Sequence, residues 1–212
     1  MLPTSPLTTP FNPKHPKMVL TKVPWLGTFG ILVSLLSANT LYAMPALPPE
    51  PKSYKLAMRS NHAAGWKAAA DVEYVALVDR ETWVLVPRPR NKNIVTCKWV
   101  FTNKTNPDGR FNRYKARLVA RGFTQKYGQD YDETLAPVGR YSTARVLLAI
   151  ACAMNCECDL MDVNNAFLYG DVQEEIYMEQ PEGYNDGSGK VCRIKKALYG
   201  LKQSPREWNL KL

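Results

Sequence analysis

Histidine is nearly missing from this sequence, with only His15 and His62 in 212 residues, and no two cysteines form a CxxC pair. Structural zinc needs four ligands at short, characteristic spacings, so a zinc site is excluded. The five cysteines, at 97, 152, 156, 158 and 192, make an odd count. Reduced, mostly buried thiols of an intracellular protein (cytoplasm or nucleus) fit better than a disulfide framework. Acidic residues are scarce in one place. From Arg88 to Lys126 eleven cations stand against one acid, Asp108, which gives +10 in a chain of net +9 and leaves −1 for the remainder. Charge concentrated in this way points to a polyanion as partner, because cations placed on phosphates release counterions. A solvated basic face without a ligand is the alternative.

Charge is also missing between Lys22 and Glu50, within a Pro-rich leader spanning residues 1–50. The run WLGTFGILVSLLSANTLYAM in its apolar part, residues 23–44, could cross a bilayer, and Lys14, Lys17 and Lys22 precede it. Ser34, Ser37, Asn39 and Thr40 dilute the run, and Leu41 is a poor residue three places before a cut at Ala43. A leader unrelated to the domain behind it is the expectation, with a membrane-targeted or secreted protein as the alternative.

Beyond a linker, Trp66, Ala70, Tyr74 and Leu77 recur at three- and four-residue steps and predict a core-packing amphipathic helix, with Ser60 as its N-cap. NIVTCKWVFTNKT and FNRYKARLVARG flank NPDGR, which predicts a β-hairpin. Side chains alternate across a strand, so Arg113, Lys115, Arg117 and Arg121 share one face, interrupted only by Val119. STARVLLAIACAMN predicts a buried helix capped by Ser142. CECDLMDV reads as a short strand and NNAFLYG as a tight turn into a helical turn. EEIYMEQPEGY and KVCRIKKALYG read as a strand pair. SPREWNLKL predicts a helix from Ser204 with Pro205 at its first position, still running where the chain stops.

The blocks TWVLVPRP, CKWVFTNKTNPDGRFNRYKARLVARGFTQKYGQDYDETLAPV, LMDVNNAFLYGDVQEEIYMEQPEGY and KKALYGLKQSPREW stand in a fixed order. The series resembles the reverse transcriptase of Ty1/copia-type retrotransposons over roughly residues 64–212. The resemblance implies an RNA-directed DNA polymerase with fingers, palm and thumb, residues 83–130 being the fingers hairpin and 156–180 the first palm strand with its turn. It implies Asp162 as the first catalytic carboxylate and the carbonyl of Val163 as a further Mg²⁺ ligand. Asn165 and Ala166 would line the nucleotide pocket, and Phe167 would crowd the sugar 2′-position. Lys104, Lys115 and Arg117 would meet the incoming triphosphate or the template. Gly200, Lys202 and Gln203 would form the template floor. The implied partners are an RNA or DNA template-primer and dNTP.

Joining a 3′-hydroxyl to an α-phosphate uses two Mg²⁺ ions roughly 3.5–4 Å apart, held by carboxylate oxygens. The resemblance also implies an adjoining pair of aspartates, and this sequence contains no such pair. Asp159 and Asp162, three apart on a strand, would point to opposite faces. Asp130 and Asp132 fall in a loop whose counterpart looks structural.

The expectation is therefore an α+β fold, part of a polymerase right hand: a fingers β-hairpin with an incomplete palm. Its organisation would be leader 1–50, linker and helix 51–82, and fingers/palm fragment 83–212. Polymerase activity would be absent from the isolated chain, with a non-catalytic nucleic-acid-binding remnant as the alternative. An incomplete palm sheet would leave an open edge and exposed apolar surface.

Overall fold

A short helix comes first, α1 (Tyr54–Arg59), whose first turn is capped by Ser53 Oγ accepting from the Leu56 amide at 3.3 Å. The computed structural model describes residues 46–159 and 161–212. The apolar segment 23–44 lies outside the described residues, and none of the described helices is long and apolar enough to cross a membrane. Ser60 does not start the next helix. Its hydroxyl donates to the Ala57 carbonyl at 2.8 Å and closes α1, while α2 (Ala63–Asp79) begins after His62 with no side-chain cap. A helix ending just upstream claims the serine that the sequence pattern assigns to the next one.

The expected stripe on α2 is buried at Trp66, Ala70 and Leu77, with Tyr74 half-buried. It packs on the hairpin of β3 (Cys97–Thr105) and β4 (Phe111–Ala120), which pair antiparallel with Trp99 opposite Leu118 and Phe101 opposite Ala116. Trp66 meets Tyr114 at 4.3 Å and Phe101 at 5.4 Å between ring centroids. A side chain at Gly65 would overlap the Tyr114 ring, so glycine is what lets helix and strand approach. The turn closes through Asn106 N–H to Arg110 O at 2.9 Å, with Gly109 at φ +81°.

Four further strands, β1 (Trp83–Val86), β2 (Ile94–Val95), β5 (Tyr177–Met178) and β6 (Val191–Ile194), form a second sheet in the order β1-β6-β5-β2. The pair expected from EEIYMEQPEGY and KVCRIKKALYG is antiparallel β5–β6, with Met178 opposite Cys192. The β2–β5 pairing is parallel. Val95, Ile176, Met178, Val191 and Leu198 are buried. The fold is α+β.

The chain divides into two units, residues 141–164 belonging to one and residues 46–140 with 165–212 to the other. Two expectations fail in the first. The helix α3 (Tyr141–Ala153) forms, but none of its residues is buried, and Leu147 and Ile150 are 62 % and 48 % exposed. Ser142 lies inside the helix and does not cap it. Apolar residues nearly all round a helix ask for burial; the pattern says what the helix could bury, not that a cover is at hand. No strand forms over 156–159 or 161–163, where Val163 alone makes an isolated bridge. A strand exists only through a ladder, and alternation alone does not supply the neighbour.

In the second unit, Asn165 takes the left-handed conformation at φ 54° and leads into the 3₁₀ turn η2 (Ala166–Tyr169), the helical turn expected after NN. The last helix, α4 (Ser204–Asn209), has proline at its start as expected. It does not run on to the end of the sequence: it closes at Asn209, with the Leu210 amide bonded to Arg206 O.

Candidate nucleic-acid interface

The hairpin register fixes the basic face. Lys104 lies opposite Arg113, Thr102 opposite Lys115, Val100 opposite Arg117 and Lys98 opposite Val119. Directly opposed residues share a face, so Lys98, Lys104, Arg113, Lys115 and Arg117 project together, away from the Trp99, Phe101, Ala116 and Leu118 core side. Burial first, and then the cations Arg117 and Lys104, hold the Lys115 ammonium below the ordinary lysine range. Glu73 of α2 sits close by and accepts from the Leu118 amide at 3.4 Å. Burial pushes its carboxyl above the usual range, against the pull of Leu118 N–H, Arg117 and Lys115. A crowd of cations with one strained acid beside it attracts anions of higher charge, and phosphates are such anions.

Arg117 connects this face to the η2 turn. Its guanidinium lies 5.3 Å from the ring centroid of Tyr199, and Tyr199 meets Phe167 with centroids 4.7 Å apart at 69°. The structure thus brings Arg117 and Phe167 into contact with one aromatic ring. Phe167 is half-buried and η2 is anchored at its C-terminal end through Gly170. Ala197 N–H donates to Gly170 O at 2.9 Å, and a side chain at Gly170 would press on Glu207 at 2.9–3.0 Å. Asn165 acts through its backbone conformation, and Ala166 opens the turn.

The block holding Gly200, Lys202 and Gln203 is pinned to the end of β4. Ala120 N–H donates to Tyr199 O at 2.7 Å, and Gly122 and Gly200 lie so close that side chains on them would overlap the facing backbone. Gln125 accepts from the Lys202 amide at 2.8 Å and donates to Gln203 Oε1 at 3.0 Å. Gln203 in turn donates to Asp130 O at 3.0 Å. Asp130 Oδ2 accepts from Asn93 at 2.5 Å and from the Lys126 amide at 2.8 Å. Gln203 is fully buried and its amide is used on both sides, so it braces this block from within. Lys202 points outward over Tyr131, its ammonium 4.3 Å from the ring centroid and 2.7 Å from the hydroxyl. Gln125 and Tyr199 carry no periodic signal and escape the sequence reading, whereas the family resemblance marks Gln203.

Asp162 is exposed and Val163 half-buried, both in the unit of residues 141–164. Among the described residues no three His, Cys, Asp or Glu side chains gather where they could hold a metal ion. The donor set present does not fit a two-ion centre, which needs several carboxylates.

The family described as reverse transcriptase (RNA-dependent DNA polymerase) matches residues 80–212. The retrovirus-related Pol polyprotein from transposon RE2 of Arabidopsis thaliana is 45 % identical over 166 residues, 77 % of this chain and 11 % of that protein. The corresponding polyprotein from transposon TNT 1-94 of Nicotiana tabacum is 42 % identical over 175 residues, 82 % of this chain and 13 % of that protein. The transposon Ty1-BL Gag-Pol polyprotein of Saccharomyces cerevisiae is 34 % identical over 120 residues, 55 % of this chain and 6 % of its own length. The chain thus spans about a tenth of the length of the plant polyproteins. No solved structure matches it. With most of its length matched from Arg80 onward, and the NPDGR hairpin, Asp162 and YGLKQ blocks in order, the chain belongs to the reverse transcriptase family of copia-type retrotransposon Pol polyproteins.

Proposed function

We propose that this chain is the fingers and the beginning of the palm of a right-handed polymerase, and that it works by holding template-primer and dNTP. The carrying observation is the basic hairpin face whose Arg117 reaches Phe167 through the Tyr199 ring. Lys104, Lys115 and Arg117 meet phosphates. Phe167, flanked by Asn165 and Ala166, stands on the sugar side of the nucleotide and disfavours a 2′-hydroxyl. Lys202 and Gly200 belong to the floor that Gln203 braces. Asp162, with the Val163 carbonyl, contributes one part of a Mg²⁺ site whose other carboxylates this sequence does not contain.

Binding without copying follows. The purified chain should bind primer-template with log K falling linearly in log salt, by about 0.9 for each phosphate engaged. Changing Lys104, Lys115 and Arg117 to Gln should weaken binding and lower that slope; a slope the triple variant leaves unchanged would remove the hairpin from the interface. Primer extension with Mg²⁺ and dNTP should yield no product. Template-dependent extension by a monodisperse sample would overturn the second half of the reading.

A further inference from the structure

The loop that follows β4 carries two large aromatic rings that the core does not use. Phe123 is 78 % exposed and Tyr127 is 74 % exposed. Most other rings of this unit pack on one another around Trp66, Trp99 and Tyr184. Holding Phe123 in water forfeits the burial that a core position would supply. Cations alternate with these rings along the loop: exposed Arg121 and Lys126 in sequence, and Lys202 beside Tyr131, whose ring lies 5.7 Å from that of Tyr127.

The loop is not slack. Arg121 N–H donates to Thr96 O at 2.7 Å, the Thr124 hydroxyl to Arg121 O at 2.8 Å, and Gln125 N–H to Gly122 O at 3.0 Å. Lys126 N–H reaches the buried carboxylate of Asp130, and Gly128 N–H donates to Tyr131 O at 3.0 Å. Phe123 and Tyr127 therefore project from a backbone tied down on both sides of each ring. The nearby acids are largely occupied: Asp130 is buried, and Glu133 pairs with Arg206 at 3.1 Å, which leaves Asp132 as the opposing charge.

We infer that Phe123 and Tyr127 form a stacking platform for unpaired bases, with Arg121, Lys126 and Lys202 holding the adjoining phosphates. The occupant is single-stranded nucleic acid. Flat apolar rings interleaved with cations match the alternation of bases and phosphates along a strand, and paired bases inside a duplex offer no free face. The assignment deepens the proposed function and rests on its claim that the chain engages template nucleic acid. It adds a site away from the Arg117–Tyr199–Phe167 line and a preference for the unpaired stretch of the template.

The test measures anisotropy of a labelled single-stranded 12-mer and of a hairpin duplex of equal charge, with the full chain. The variants are F123A/Y127A, F123W/Y127W and the triple hairpin variant K104Q/K115Q/R117Q. Both platform positions are exposed, so the fold should persist, and unchanged circular dichroism checks that. F123A/Y127A should lose about tenfold or more for the single strand, with its salt slope and duplex affinity kept, since each stacked base contributes by an aromatic contact that carries no charge. The tryptophan pair should retain binding. Wild-type affinity in F123A/Y127A, or equal losses for strand and duplex, would overturn the platform while leaving the hairpin reading intact. No binding of either probe by the wild type would overturn both. Self-association of the wild type that F123A/Y127A abolishes would assign the rings to a second copy and sink the inference.

Discussion

Gly200 sits at φ +90° directly against the carbonyl oxygen of Ala120, so that a side chain there would overlap that oxygen and crowd Val119. The contact joins the YGLKQ block to the end of the basic hairpin, beside the Ala120 N–H to Tyr199 O bond of 2.7 Å. Gly200→Ala should therefore do two kinds of damage. The backbone conformation costs an L-residue about 1–2 kcal/mol, and overpacking adds about 1–3 kcal/mol. A urea titration should show a clearly lower midpoint, with Tyr199 displaced from Phe167. An unshifted midpoint would mean that the two backbones are not locked as described.

Asp130 is buried to 1 % exposure and spends its carboxylate on Asn93 and the Lys126 amide. Asp130→Ala strands both donors, which should cost about 2–3 kcal/mol or somewhat more because the lost acceptor is charged. The same substitution separates a structural acid from a metal ligand. Adding Mg²⁺ should change the melting temperature of wild type and variant equally. A Mg²⁺-dependent gain present in the wild type and missing in the variant would make Asp130 a ligand.

The hairpin was legible because its signal is local. Pro107, Asp108 and Gly109 lie between two alternating runs, and the alternation alone fixes which side Arg113, Lys115 and Arg117 take. The parallel β2–β5 pairing was not legible, since it joins Ile94 and Val95 to Tyr177 and Met178 across most of the domain through two residue pairs. Ser60 shows the limit of capping signals, because one hydroxyl satisfied the wrong helix. At the site, family likeness singled out Phe167 and Arg117, but the Tyr199 ring that both meet is a tertiary fact. Gln125 and Gln203 carry polar side chains and are nonetheless buried, because an amide pair that satisfies itself can be enclosed. α3 carries the composition of a core helix and has no buried residue, which no periodicity could reveal.

The expectation of mostly buried thiols fails, because the five cysteines divide by environment. Cys152, Cys156 and Cys158 are exposed, whereas burial pushes Cys97 and Cys192 up to about 12. At pH 8 a thiol at about 12 is ionised to only about one part in ten thousand, and the thiolate is the reactive form. A thiol reagent added to the native chain should therefore react quickly at the three exposed cysteines and reach the other two only with denaturant. Mass spectrometry counts the adducts. Five fast additions without denaturant would show that the sheet around Cys192 opens readily.

Two carboxylates should tilt stability in opposite directions over separate pH ranges. Asp186 accepts from Gln180 Nε2 at 2.8 Å and from the Ser188 hydroxyl and amide at 2.6 and 3.0 Å, and these bonds hold it down at about 2 from an ordinary 3.8. A depressed carboxyl stabilises the folded chain above 3.8 and loses that contribution as pH falls toward 2. Glu73 is the reverse case, raised above its ordinary 4.5 chiefly by burial. Its protonated form suits the fold, so its contribution is complete below 4.5 and declines as pH rises through the folded value. Urea midpoints at closely spaced pH values should show Asp186→Asn flattening the acid limb between about 2 and 3.8 alone. Glu73→Gln should flatten the decline above 4.5 alone, and at neutral pH it should leave stability no lower than wild type. It keeps an acceptor for the Leu118 amide without an ionised oxygen to bury. A marked loss at neutral pH in that variant would show that the Glu73 charge is needed to offset Lys115 and Arg117, and that the basic face is held together by its acid.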